Sequence, residues 1–103
     1  MITISGHNFE GPFTNTASLA DNAGVYAILT RGPANESWTV IDVGESGQLK
    51  SRIENHDRKA CWNRKSRGTV AVAVLYTTSW NSIQRCALES SLREQFAPAC
   101  GLV

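Results

Sequence analysis

Glu89 is the carboxylate most in need of a chemical reason. It sits between Cys86, Leu92 and Phe96 at helical spacing, and glutamate is seldom buried without a partner. A divalent cation or an arginine would supply one; an edge carboxylate reaching water is the plain alternative. Asp42 is the second such residue, an acid inside Val40-Ile41-Asp42-Val43. If Thr30 faces Trp38 across a hairpin, Tyr26 faces Asp42 and Gly24 faces Gly44, so phenol and carboxylate share a sheet face. The third feature is charge. Lys50, Arg52, Arg58, Lys59, Arg64, Lys65 and Arg67 are seven of the ten basic residues. Only Glu54 and Asp57 oppose them, giving +5 over 50–67 and −4 elsewhere in a chain of net charge +1. With Trp62 in its midst, such a segment suits a polyanion such as nucleic acid; a solvated basic loop is the alternative.

The cysteines offer less. Cys61, Cys86 and Cys100 have no CxxC spacing and no second histidine near any of them. Zinc and disulfide frameworks are therefore disfavoured, and reduced, partly buried thiols are expected.

The elements that must position these groups follow from pattern. Gly24–Thr30 and Trp38–Val43 are β-branched and aromatic, and the 31–37 loop between them holds Gly32-Pro33 and Asn35, so they predict an antiparallel hairpin. Ser46 can cap a helix from about Gln48 to Asp57, whose apolar face is Leu49, Ile53 and His56, with Arg52 at its edge. Arg58–Gly68 reads as irregular and exposed. Thr69–Thr78 reads as a central strand buried on both faces. Ser79 or Asn81 can start a last helix reaching Phe96, and Pro98 forbids its continuation. The order is β–β–α–β–α, with Ile2-Thr3-Ile4 as a possible edge strand in an N-terminal extension, residues 1–23, of a single domain spanning 1–103.

At 103 residues, with 42% hydrophobic and 18% charged, the chain predicts one compact core. Its longest apolar run, Val70–Tyr76, is far short of the roughly 20 residues of a membrane span. No basic start precedes an apolar stretch at the N-terminus, so the cytoplasm is the expected location and no membrane partner is expected.

Taken in order, Gly24-Val25-Tyr26, Asp42-Val43-Gly44-Glu45-Ser46, Leu49-x-x-Arg52-x-x-x-His56 and Glu89 with Pro98 resemble the GIY-YIG nuclease superfamily over about Gly24 to Gly101. The resemblance implies a small α/β sandwich, a three-stranded antiparallel sheet flanked by helices. It also implies metal-dependent hydrolysis of DNA phosphodiesters. Glu89 would hold one Mg²⁺ or Mn²⁺, and Arg52 would bind phosphate oxygens with a bidentate fork. Tyr26 would orient or deprotonate the attacking water, with Asp42 or His56 as second proton acceptor. Gly24 and Gly44 are carried over as structural positions. Two positions depart from the family: Asp42 stands where the second motif has tyrosine, and Gly101 stands where the family has a late asparagine.

A binding module that keeps the scaffold and the basic segment (Lys50, Arg58, Lys59, Trp62, Arg64, Lys65, Arg67) without the reaction is the alternative, since phosphate contacts alone give affinity. A protein-interaction domain anchored by Trp38, Trp62 or Trp80 is a third reading. The expected partner is DNA, including structured or damaged DNA. So small a chain leaves room for a second copy or a targeting partner to supply specificity.

Overall fold

The computed structural model describes residues 1–33 and 36–100. Its elements run β1 (Ile2–Ile4), β2 (His7–Phe13), a 3₁₀ turn (Thr16–Ser18), β3 (Gly24–Arg31), β4 (Thr39–Ser46), α1 (Leu49–Glu54), α2 (Lys59–Arg64), β5 (Thr69–Tyr76) and α3 (Ser82–Phe96). Every strand pairing is antiparallel. The expected three-stranded sheet is in fact five-stranded, in the order β1-β2-β5-β3-β4. The N-terminal stretch supplies two of those strands. Its short, mixed segments carry little periodicity, yet Ile4 and Phe9 are buried in the core.

β3 lies between β4 and β5, covered on both faces, which explains why Val25 through Leu29 form an unbroken apolar run. Its two faces meet different neighbours. Tyr26 and Ile28, with Ile41, Val72 and Val74, pack against Leu49, Ile53 and Trp62 from α1 and α2. Val25, Ala27 and Leu29, with Val43 and Ala73, pack against Leu88, Leu92 and Phe96 of α3.

The hairpin register differs from expectation. Thr30 pairs with Thr39 and Leu29 with Val40, but Ile28 pairs with Asp42 and Tyr26 with Gly44. A bulge at this step leaves Ile41 without a partner across the ladder. Bulges of this kind re-aim side chains, and here Ile41 and Asp42 turn toward the same helices. Tyr26 and Asp42 therefore share a face as expected, but stand diagonally rather than opposed. Gly24 faces Ser46, not Gly44.

The helices differ in two respects. α1 ends at Glu54, and Ser46 accepts only from the Gln48 N–H. Asp21, from the N-terminal stretch, accepts instead from both the N–H and the hydroxyl of Ser51. Those bonds hold its carboxyl below the usual range. The segment expected to be irregular contains α2, because burial of Trp62 fixes it against the sheet. α3 matches expectation closely. Asn81 and Gln84 form a capping box at its start. It ends at Ala97, left-handed with φ 44°, just ahead of Pro98.

The expectation of three reduced thiols is also corrected. Cys61 and Cys100 are joined in a disulfide that ties α2 to the C-terminal segment, and Cys86 is free and exposed. Sequence spacing cannot reveal this pairing, because the contact depends on the Cys100 N–H reaching back to the Ile41 carbonyl of edge strand β4. Gly101 lies outside the described residues. Among the described residues, no helix is long and apolar enough to cross a membrane.

Candidate active site at the edge of the sheet

The two motif glycines make room for the site. A methyl group at Gly44 would overlap the Tyr26 hydroxyl, and one at Gly24 would overlap the Leu75 carbonyl and the Leu49 side chain. Both positions are closed to a Cβ for steric reasons, and Gly44 lets the phenol ring lie across β4.

Tyr26 is buried, and its Oη lies 2.5 Å from His56 Nε2. The direction of that hydrogen bond can be deduced. His56 Nδ1 accepts the backbone N–H of Arg58 at 3.0 Å, so in the neutral ring the proton belongs to Nε2, which donates to Oη. Asp57 Oδ1, 3.2 Å from Nδ1, favours a protonated ring. Burial opposes it most, followed by the charges of Arg52 and Arg58, and the His56 pKa falls to about 4. The imidazole is thus neutral near pH 7, and Tyr26 keeps its own hydroxyl proton for another acceptor. Burial, then the Asp42 charge, raise the Tyr26 pKa, while Arg58 and Arg52 pull against them. A neutral phenol is the resting state.

Asp42 is fully buried and fully occupied. Its carboxylate accepts from five N–H groups: Val43 N, Arg58 Nε and Nη2, Trp62 Nε1 and Arg93 Nη2, at 2.7–3.3 Å. A carboxylate has about four lone-pair sites, so nothing is left to take a proton from water. The expected proton acceptor is instead a hub that joins α2, α3 and the edge strand. Arg93 reinforces the hub by donating also to the Val43 carbonyl.

Arg52 sits on α1 with its side chain 40% exposed and 3.4 Å from Asp57. It borders an open polar depression of about 320 Å³ lined also by Ser46, Gln48, Ser51 and Asn55. Glu89, 26% exposed, lies 3.7 Å from Arg93 one helical turn on. Of the partners that could justify this carboxylate, an arginine is therefore present. Burial pushes its pKa up, Arg93 pulls it down, and the like charge of Glu45 adds to the rise. Glu45 itself is held by Arg85 at 3.0 Å.

The basic segment divides. Trp62 is buried, so its ring is not offered to a partner. Arg58 is turned onto Asp42, Lys59 donates to the Glu54 carbonyl, and Arg67 pairs with Glu36. Lys50 is half-buried, while Arg64 and Lys65 are exposed and their side chains make no hydrogen bond or ion pair among the described residues. None of the three tryptophans is an exposed anchor: Trp38 packs beneath Arg31, with the guanidinium 4.2 Å from its ring, and Trp80 is half-buried.

Sequence reasoning missed Arg93 and Arg85, and named Glu45 only as part of a motif. The Glu89–Arg93 spacing of one turn was a readable signal; the reach of Arg93 around the sheet edge to Asp42 was not.

Among the described residues no three His, Cys, Asp or Glu side chains converge as a metal cage. Magnesium, however, usually keeps several waters and needs only one or two carboxylates beside substrate phosphate. Glu89, a carboxylate 26% exposed on α3, is a hard-oxygen donor of the kind such an ion takes.

No protein-family model matches the sequence, and comparison with curated proteins finds no match. Solved structures do match. The GIY-YIG N-terminal endonuclease domain of UvrC from Thermotoga maritima, bound to its catalytic divalent cation magnesium, aligns with TM-score 0.61 at 15% identity over 84% of this chain and 91% of that one. A point mutant of the same domain with its catalytic divalent cation aligns with TM-score 0.60 at 13% identity over 85% and 91%. The sheet, the order of its elements and these alignments lead to one conclusion: the chain has a GIY-YIG-like fold.

Proposed function

We propose that the protein is a metal-dependent DNA endonuclease that hydrolyses phosphodiester bonds. The observation that carries this reading is the Tyr26–His56 pair, 2.5 Å apart, in the field of Arg52, Arg58 and Glu89. Phosphodiester hydrolysis needs a positioned water and neutralisation of charge at the phosphate. In this reading, Tyr26 orients the water through its hydroxyl, and His56 fixes that hydroxyl from behind with its Nε2–H. Arg52 takes phosphate oxygens at the open depression beside α1. Glu89 would hold Mg²⁺ or Mn²⁺, which supplies Lewis-acid charge at the phosphate when bound. Cytoplasmic location and action on structured or damaged DNA, alone or with a second copy or targeting partner, belong to the same proposal.

A second reading is favoured by Asp42. Its carboxylate is saturated by five donors and Tyr26 is 1% exposed, an arrangement that also serves a nucleic-acid-binding module without the reaction. The test is cleavage of circular, nicked and flapped DNA with Mg²⁺ or Mn²⁺ against EDTA. Metal-dependent nicking that Tyr26→Phe abolishes supports the enzyme. Tight binding with no cleavage of any substrate supports the module.

A further inference from the structure

Arg58 makes a specific use of half its guanidinium. Its Nε and Nη2 lie 2.8 and 3.3 Å from the two oxygens of Asp42, a side-on pairing. That pairing takes two of the five N–H groups. Among the described residues, Nη1 has no hydrogen-bond partner, and the side chain is 28% exposed. The backbone of the same residue donates to His56 Nδ1, which places its root one hydrogen bond behind the Tyr26–His56 pair. Its charge also reaches Tyr26, His56 and Glu89. An arginine serving only to neutralise Asp42 would be redundant there, because Arg93 and Trp62 already donate to the same carboxylate.

We infer that Arg58 is a second phosphate-binding arginine of the site, presenting its Nη1–Nη2 edge to DNA, and that Asp42 is the positioning residue that aims it. The inference rests on the reading of the site as one for DNA phosphodiesters. Its chemistry follows from the fork geometry: a guanidinium held side-on by a buried carboxylate is pre-organised and offers its outer edge to a phosphate bidentately. The tyrosine of the family's second motif gives way here to an acid whose five donors leave it no direct role in moving a proton.

The test is the affinity of a fluorescein-labelled DNA duplex in EDTA, measured against KCl concentration for wild type, Arg58→Gln, Asp42→Asn and the double variant. Glutamine can still donate to Asp42, and asparagine still accepts from Val43. Arg58→Gln is expected to reduce the log–log salt slope by about 0.9, one phosphate, and to weaken binding about tenfold at 0.1 M salt. Asp42→Asn separates positioning from plain electrostatics by sign. Loss of a negative charge alone tightens DNA binding, whereas loss of aim weakens it. The double variant is expected to lose no more than Arg58→Gln alone. If Asp42→Asn does not fold, Asp42→Glu, which keeps the charge and shifts the carboxylate, is expected to weaken binding likewise.

An unchanged slope in folded Arg58→Gln, or tighter binding by Asp42→Asn, overturns the inference. Cleavage by wild type together with an unchanged Arg58→Gln slope removes the Arg58 contact and leaves the hydrolysis reading standing. A reduced slope in a protein that never cleaves removes hydrolysis and leaves the phosphate contact.

Discussion

The two faces of the sheet solve burial in opposite ways. Under α3, the cluster of Val25, Ala27, Leu29, Val43, Ala73 and Leu92 is wholly apolar and needs no hydrogen-bond accounting. Under α1 and α2, Tyr26, Trp62, His56 and Asp42 are just as buried. Each polar atom there answers to a named partner. A core built for stability alone does not need such a network, since buried ion pairs commonly fare no better than apolar packing. The α3 face carries the fold, while the α1–α2 face carries the constraints of the proposed site.

Removing the hub should break the contrast most strongly. Asp42→Ala leaves Arg58 and Arg93 without their shared counter-charge and the Trp62 N–H unpaired, at a cost of about 3–5 kcal/mol. Leu92→Ala on the other face should cost about 2–5 kcal/mol through a cavity, yet leave DNA affinity per folded molecule unchanged. Denaturant titration with parallel binding measurements checks both. Equal loss of affinity per folded molecule in the two variants would erase the distinction between the faces.

Acid should act on the α1–α2 face first. The His56 pKa in the fold is about 4, below the usual 6.5 or so, so the unfolded chain binds the extra proton between these values. Its contribution is fully present above about pH 6.5 and is lost as pH falls toward 4. The size is about 3 kcal/mol. Stability of His56→Gln measured from pH 7 to 4 should fall less than that of wild type over this window.

The smallest effect on stability belongs to the surface. Reversing Arg64 and Lys65 to glutamate should change unfolding free energy by no more than about 0.5 kcal/mol, while weakening DNA binding and flattening its salt dependence. Anisotropy titrations at several salt concentrations check this, and an unchanged slope would take these residues out of the contact surface.

Much of the apolar face was legible in the sequence because period and composition report burial directly. The central strand read over Thr69–Thr78 and found at Thr69–Tyr76, and the Asn81-capped helix ending before Pro98, are examples. The polar face was legible as residue types but not as contacts. Tyr26, Arg52, His56 and Glu89 stood out, yet the bulge at Ile41 shifted the register and gave Asp42 to Arg58, Arg93 and Trp62. No local pattern encodes a bulge, a carboxylate reached around a sheet edge, or the Cys61–Cys100 bond. The N-terminal strands were faint because β1 has only three residues and β2 includes Gly11-Pro12.

If the polar face performs metal-dependent hydrolysis as proposed, Glu89→Gln should all but abolish it. The substitution is nearly isosteric and removes the charge that would hold the cation and that now faces Arg93. Cleavage of plasmid DNA with Mg²⁺ or Mn²⁺ and duplex binding in EDTA are measured on wild type and variant together. Cleavage is expected to fall by about 10²–10³, with metal-free affinity unchanged or slightly higher. Cleavage that persists undiminished in Glu89→Gln would contradict the proposal.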